Sequence, residues 1–246
     1  MSSNSEKGHA KNVANFKLLT TYITGLGAAY NPSNPEIEIT QLESLYDNAF
    51  LKQKNVNTSE APYKNAAAER ENFFAPLNKL ITKLRGVFKS TLGVQPNQLD
   101  NFMTIARKIK GSKKSKNPPT IDTPETDAIQ AQHSASQRSY DQQTNNFEIL
   151  IALLESTPNY NPNEVEYKIV TLKNRYTKML NYTEKVGETF TPFNTARSER
   201  NKVIYYNQNN LIDIALTTKS YLSTIVDKSS SEYKAIAKLR FTRIKK

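Results

Sequence analysis

Acid–base or metal chemistry would have to come from very few residues in this chain. Its 246 residues include two histidines, His9 and His133, and no cysteine, which excludes thiolate ligands, cysteine nucleophiles and disulfides. The segment "EKGH", which ends at His9, has the Glu-x-x-His spacing of di-iron helical bundles. Those sites need two such motifs inside a bundle core, and this one stands alone near the N-terminus. We therefore expect no catalytic residue, no metal site and no cofactor.

A glutamate–arginine pair occurs twice, as Glu69–Arg70 in "AERE" and as Glu199–Arg200 in "SERN". Such a pair can be presented to a ligand or a partner, or it can form internal salt bridges that dock one helix on its neighbour. We favour the internal salt bridges, because duplication of the sequence would preserve a packing contact.

Two basic segments, "RKIKGSKKSK" and "KAIAKLRFTRIKK", contain no acidic residue in a chain of net charge +11. Clustered Lys and Arg can neutralise phosphates in a salt-dependent way, and Tyr233 and Phe241 could stack on bases. Alternatively, these charges serve only solubility and the last turns of helices. The candidate polyanion-binding residues are Arg107, Lys108, Lys110, Lys113, Lys114, Lys116, Lys238, Arg240, Arg243, Lys245 and Lys246.

The elements that would position these residues come from an internal repeat. "YNPSNPEIEITQLESLY", from Tyr30, resembles "YNPNEVEYKIVTLKNRY", from Tyr160, and the match continues downstream without a gap. Upstream the alignment slips by one residue, so that Phe16 pairs with Phe147. Two copies are too few for a solenoid, and we expect two helical units packed against each other. The identical pairs are Tyr30/Tyr160, Asn31/Asn161, Pro32/Pro162, Glu36/Glu166, Ile39/Ile169, Leu42/Leu172, Tyr46/Tyr176, Val56/Val186, Pro62/Pro192, Ala66/Ala196, Glu69/Glu199 and Arg70/Arg200.

Each copy is expected to form about four helices. The second helix starts at the Tyr-Asn-Pro motif, with Asn34 and Asn163 as caps, and the third starts after Pro62 or Pro192. The fourth covers about 97–110 in one copy and 230–245 in the other. Apolar residues at helical spacing predict the faces that turn to the core. These are Val13, Phe16, Leu19, Ile23 and Leu26 with Tyr140, Phe147, Ile151 and Leu154 in the first helices, and Ile39, Leu42, Tyr46 and Phe50 with Ile169, Leu172, Tyr176 and Leu180 in the second.

The Tyr-Asn-Pro motif itself places Tyr30, Pro32, Tyr160 and Pro162 just ahead of a helix. An aromatic residue at such a place commonly packs on the incoming helix. We therefore favour a structural role for these residues over a tyrosine that faces a ligand.

Composition and segment boundaries complete the domain prediction. Seven glycines and 37% apolar residues favour an all-α fold with a thin core over a turn-rich β architecture. We expect a flexible N-terminal tail over 1–11, a first helical repeat over 12–110, a basic linker rich in Pro, Ser and Thr over 111–134, and a second repeat over 135–246. The absence of a long apolar run and of a signal-like N-terminus predicts a cytoplasmic protein without membrane insertion.

Several segments of the second half carry a resemblance to known proteins. They are "SASQRSYDQQTNNFEILIALLES", "YNPNEVEYKIVTLKNRY", "ARSERNKVIYY", "LIDIALTTKSYLSTIV" and "SSEYKAIAKLRF". Together they resemble all-helical proteins of Bacteroidetes-type bacteria, a family without an established activity. The resemblance covers about 135–246 well and the first repeat more loosely. It implies a bacterial, all-α protein and transfers no functional residue.

The sequence thus predicts an all-α helical bundle built from two internal repeats of about four helices each. The favoured function is that of a non-enzymatic structural or protein-interaction protein, which uses helical faces to bind a protein partner or itself. The alternative is a protein that binds nucleic acid or another polyanion without sequence specificity, through the basic residues given above.

Overall fold

The computed structural model describes residues 5–111 and 139–244, with side chains from residue 8 onwards. Within these ranges the chain forms eight α-helices and no strand, which confirms the all-α class. The predicted linker, His133 and five of the predicted basic residues (Lys113, Lys114, Lys116, Lys245 and Lys246) lie outside the described residues, apart from Gly111. The helices are α1 (Ser5–Leu26), α2 (Ile39–Phe74), α3 (Leu77–Ser90), α4 (Pro96–Lys110), α5 (Tyr140–Glu155), α6 (Ile169–Asn201), α7 (Leu211–Ile225) and α8 (Ser231–Ala237).

The N-terminus departs from the predicted tail over residues 1–11, because α1 already begins at Ser5. His9 and Asn12 are buried on the same side of α1 as Val13 and Phe16. The apolar pattern could not reveal this first part of the helix, since the buried side chains there are polar and are held by hydrogen bonds.

The helix that follows each Tyr-Asn-Pro motif is longer than predicted. Pro62 lies inside α2 and Pro192 inside α6, so the prediction that a new helix starts after each proline is wrong. A proline within a helix costs about 3 kcal/mol, because it removes a hydrogen bond and crowds the preceding turn. Aromatic packing next to the prolines offsets this cost, since Tyr63 stacks on Phe193 with ring centroids 5.4 Å apart.

A short 3₁₀ turn precedes both long helices. Asn34 caps the turn Pro35–Ile37 as expected, with its side chain accepting a hydrogen bond from the amide of Glu36. In the second copy the residue before the turn Val165–Tyr167 is Glu164, not the predicted Asn163, and no side-chain cap forms.

The described residues form two compact units. One takes the residues up to Tyr63 and from Thr189 onwards, and the other takes Lys64 to Glu188. Each unit therefore combines segments that the sequence alignment assigns to different copies. In the first unit α1 packs with α7 and α8, and in the second unit α5 packs with α4, which in turn packs on α3.

The two cores bury different kinds of side chain. The core of the second unit is centred on aliphatic and aromatic residues, with Phe88 stacked on Phe102 at 5.2 Å between ring centroids. The core of the first unit also buries His9, Asn12 and Arg200.

A stretch of π-helix over Lys202–Tyr206 continues the chain after α6 and delivers Tyr205 to the first unit's core. It ends in a turn at Asn209, which has a positive φ of 56°, and Asn210 then caps α7.

The predicted fourth helices have different outcomes. In the first copy α4 matches the predicted 97–110 closely and starts with a capping box between Gln95 and Gln98. In the second copy α8 stops at Ala237, well short of residue 245, and residues 239–244 are not helical. This extended C-terminal segment packs its apolar residues, among them Phe241 and Ile244, against the first unit's core.

Candidate interaction faces

The repeated tyrosines fix the turns ahead of the long helices. Tyr30 donates a hydrogen bond to the carbonyl of Ile37 at 2.6 Å, and Tyr160 makes the same bond to the carbonyl of Tyr167 at 2.9 Å. Burial raises the pKa of both hydroxyls to about 12. These bonds support the structural interpretation of the motif, in which Pro32 and Pro162 are partly buried beside the tyrosines.

The repeated glutamates form salt bridges within their own units, as the internal-packing interpretation predicted. Glu69 pairs with Lys185 at 2.7 Å in the second unit. Glu199 pairs with Lys52 at 3.4 Å and with Lys202 at 3.0 Å in the first. Both carboxylates thus have lysine partners.

The repeated arginines are engaged elsewhere. Arg70 lies over the ring of Tyr140 at 4.0 Å, a cation–π contact that ties α2 to α5. Arg200 is buried and donates two hydrogen bonds to the side-chain oxygen of Asn201. Neither arginine is presented as a binding group on an open surface.

The predicted basic residues divide between the two units. Arg107, Lys108 and Lys110 form the end of α4, where Lys110 donates to the hydroxyl of Thr82 at 2.7 Å. Lys238, Arg240 and Arg243 belong to the first unit. Polyanion binding by these residues stays a prediction.

The C-terminal basic segment is fastened to α1 through its backbone. The side-chain amide of Asn12 donates to the carbonyl of Thr242 at 2.8 Å and accepts from its amide at 2.9 Å. Asn15 donates to the carbonyl of Arg240 at 2.7 Å. Arg243 also forms a close ion pair with Asp213, so this cation is already neutralised. The expected stacking residue Phe241 is packed against the core instead.

His9 is buried and neutral near pH 7. Asn12 donates to the Tyr205 oxygen at 3.3 Å, which leaves the Tyr205 hydroxyl hydrogen for Nδ1 of His9 at 2.7 Å. Burial, followed by the nearby positive charges of Arg200 and Arg197, lowers the pKa of His9 to about 4. Among the described residues, no group of three or more His, Asp or Glu side chains could hold a metal ion.

An exposed apolar surface lies on the first unit, where α1 meets α2. We call it the α1/α2 face and define it by Lys17, Tyr46, Phe50 and Lys54. The ring of Phe50 stacks on Tyr46 at 5.9 Å and is still 52% exposed. The ammonium group of Lys17 lies 4.5 Å from the centre of the Tyr46 ring. Phe50 therefore projects from this face as an aromatic knob next to positive charge.

The aligned positions of the second unit form another exposed surface, where α5 meets α6. We call it the α5/α6 face and define it by Glu148, Tyr176, Leu180 and Glu184. Leu180 is 45% exposed. Burial and a hydrogen bond to Glu148 raise the pKa of the Tyr176 hydroxyl.

The α5/α6 face is concave. Its four residues line a groove of about 520 Å³ together with Asp141, Thr144, Asn145 and Thr183. The groove therefore combines an apolar wall with three carboxylates.

Sequence reasoning placed Phe50 and Leu180 on core stripes, and this was wrong. The second-helix positions that are fully buried include Leu42 and Ala49 in α2 and Leu172 and Met179 in α6. Because Ala49 is small and next to Phe50, the apolar pattern alone favoured Phe50 as the core residue. The sequence did contain one sign that Phe50 is exposed, since its apolar stripe is unusually wide and includes the small residue Ala49.

Comparison of this chain with protein-family models, with curated proteins and with solved structures finds no match. In the described parts of the chain no helix is long and apolar enough to cross a membrane.

Proposed function

We propose that the chain is a helical bundle of two repeats that acts as a non-enzymatic protein-interaction module. The observation that carries this proposal is the aromatic knob of the α1/α2 face, with Phe50 52% exposed and stacked on Tyr46. Large exposed apolar side chains that cluster on one surface are typical of sites that bind another protein.

Recurrence in the other unit supports the same proposal. The α5/α6 face has exposed apolar residues at the aligned positions, so two separate surfaces leave apolar groups uncovered. The repeated residues that looked most like a ligand site, Tyr30, Glu69 and their counterparts, are occupied by internal hydrogen bonds and salt bridges.

The two-repeat description is supported by details that recur at the aligned positions. The tyrosine-to-carbonyl bond, the 3₁₀ turn and the proline inside a long helix occur once in each copy.

Photo-crosslinking in the cells that make the protein tests the interaction. A photoreactive phenylalanine analogue at position 50 should give discrete crosslinked species with one or a few proteins. The same analogue at Lys89, exposed on α3, is the matched control and should not give them. An identical pattern from both positions, or a crosslink only within the same chain, would contradict the proposal.

A further inference from the structure

The two faces carry opposite charges at aligned positions. Lys17 of the α1/α2 face corresponds to Glu148 of the α5/α6 face, and Lys54 corresponds to Glu184. At these positions Phe16 aligns with Phe147 and Tyr46 with Tyr176. Both members of the Phe16/Phe147 pair are fully buried, so the same side of each helix faces outwards in the two units.

A third position follows the same reversal, since Glu43 corresponds to Lys173. Lys173 already pairs with Glu155 at 2.6 Å, so this end of the α5/α6 face is close to neutral. Asp47 adds a second acidic group one helical turn from Glu43 in α2. The charge contrast is therefore concentrated around Lys17 and Lys54 on one side and Glu148 and Glu184 on the other.

The apolar parts of the faces differ in shape in a matching way. Phe50 projects from the α1/α2 face, whereas its counterpart Leu180 lines a groove. Asp141, in the same groove, stands where α1 has Ala10, so the groove has an extra carboxylate and the knob has no acidic group there. The α1/α2 face thus presents an aromatic knob beside lysines, and the α5/α6 face presents an apolar groove beside carboxylates.

We propose that the α1/α2 face of one copy binds the α5/α6 face of a second copy. This inference rests on the proposed function and names the partner as the chain itself. Burial of the Phe50 ring supplies the affinity, and the opposite charges set orientation and association rate. Two different patches of one chain meet in this contact, so the interface is heterologous and can close into a ring or extend into a filament.

Charge reversal on one face at a time tests the contact. Lys17→Glu with Lys54→Glu makes both faces acidic, and Glu148→Lys with Glu184→Lys makes both faces basic. Each variant alone should associate at least tenfold more weakly than the native chain in sedimentation velocity at low salt. Lys79→Glu with Lys89→Glu lowers the net charge by the same amount as Lys17→Glu with Lys54→Glu, but at exposed positions of α3. This control should leave association unchanged.

Mixing the two variants is the decisive experiment. Misfolded variants could lose association, but they could not recover it when mixed. The acidic face created by Lys17→Glu and Lys54→Glu matches the basic face created by Glu148→Lys and Glu184→Lys. The equimolar mixture should therefore recover association, and so should one chain that carries all four substitutions. A native chain that stays monomeric at high concentration and low salt, or a mixture that fails to recover, would overturn the inference.

The photo-crosslink at position 50 separates this failure from failure of the proposed function. Crosslinks to a different protein, with no self-association, would refute the inference and leave the interaction function standing. Absence of any specific crosslink together with absence of self-association would refute both.

Discussion

The first compact unit buries His9, Asn12 and Arg200 in its core, whereas the second unit buries neither a histidine nor a charged side chain among its described residues. In each unit, the helix that precedes one Tyr-Asn-Pro motif packs against the last helices of the other sequence repeat. In the first unit His9 bonds to Tyr205 of the π-helix, and Asn12 bonds to Thr242 of the C-terminal segment. In the second unit, the core contains stacked aromatic rings such as those of Phe88 and Phe102.

Two units with similar helices are therefore stabilised differently, one mainly by apolar packing and the other also by buried hydrogen bonds. Apolar packing has little directional preference and is insensitive to pH. Buried hydrogen bonds select one register for the segments they join and are costly when a partner is lost. We therefore expect the stability of the second unit to fall most when a cavity is made in its core. The stability of the first unit should depend more on pH and on single buried polar groups.

The largest effect is expected from a cavity in the second unit. Phe88→Ala should lower the free energy of unfolding by about 3–5 kcal/mol, because the Phe88 ring is fully buried and stacks on Phe102. Urea denaturation followed by circular dichroism measures the loss, and hydrogen exchange shows whether it falls on α3 and α4. Leu92→Ala, at a side chain 79% exposed, is the control and should cost under about 0.5 kcal/mol. A loss below about 1 kcal/mol for Phe88→Ala would refute the packing account of this core.

Protonation of His9 should destabilise the first unit at acid pH. The pKa of His9 is about 4 in the folded protein and about 6.5 when unfolded, so the unfolded chain binds the proton more tightly. The contribution is complete above pH 6.5 and is lost as the pH falls from 6.5 towards 4, by about 3 kcal/mol in all.

His9→Asn is the matched variant, since its amide can still bond to Tyr205 and does not titrate. Denaturation between pH 7 and pH 4 should show a shallower pH dependence for this variant than for the native chain. Equal slopes would mean that the pKa of His9 is the same in the folded and the unfolded chain, and would contradict its burial as a neutral group.

A slightly smaller effect is expected from the bonds that fasten the C-terminal segment. Asn12→Ala removes both bonds to the backbone of Thr242 and should cost about 1–3 kcal/mol. It should also speed trypsin cleavage after Arg240 and Arg243, because the segment detaches more often. Asn12→Asp keeps the acceptor for the Thr242 amide but places a buried carboxylate against the Thr242 carbonyl, and should cost at least as much as Asn12→Ala at neutral pH. Unchanged cleavage rates in Asn12→Ala would show that apolar packing alone holds the segment.

The smallest effects are expected from the repeated salt bridges. Glu69→Gln and Glu199→Gln should each lower stability by less than about 1 kcal/mol, because the side chains of both partners are exposed to solvent to a large extent. Thermal unfolding at low and high salt checks this. A loss above about 2 kcal/mol for either variant would mean that these pairs do more than fasten neighbouring helices.

Much of this fold could be predicted from regular patterns. Apolar spacing identified α1 and α5 through Phe16 and Phe147, and the end of α4 was placed correctly. The Tyr-Asn-Pro motif located the turns because Tyr30 and Tyr160 act locally, on carbonyls seven residues away.

The failures arise where distant contacts override local signals. Proline is common at the start of helices, so Pro62 and Pro192 predict helix starts. Here packing such as that of Tyr63 on Phe193 keeps the helices continuous. His9 looked like part of a tail because its partner, Tyr205, is far away in the sequence.

The candidate faces were hidden for a related reason. Phe50 and Leu180 fit an apolar stripe, and only the three-dimensional packing shows that Ala49 and Met179 occupy the core positions instead. The charge reversal between Lys17 and Glu148 is visible in the sequence, but it gains meaning only once both residues are known to be exposed beside an apolar surface.

The central claim is that the α1/α2 face of one copy meets the α5/α6 face of another. Since the native chain has no cysteine, single cysteines report such a contact without background. Asp47→Cys lies one turn from Phe50 and Thr183→Cys lies in the groove, and both leave the Phe50 ring and the four charged residues in place. The two chains, mixed and oxidised mildly, should form the mixed disulfide in clear excess over both symmetrical ones, because a disulfide needs Cα atoms within about 7 Å. A statistical mixture, or equal crosslinking of Asp47→Cys to the off-face control Lys89→Cys, would contradict the claim.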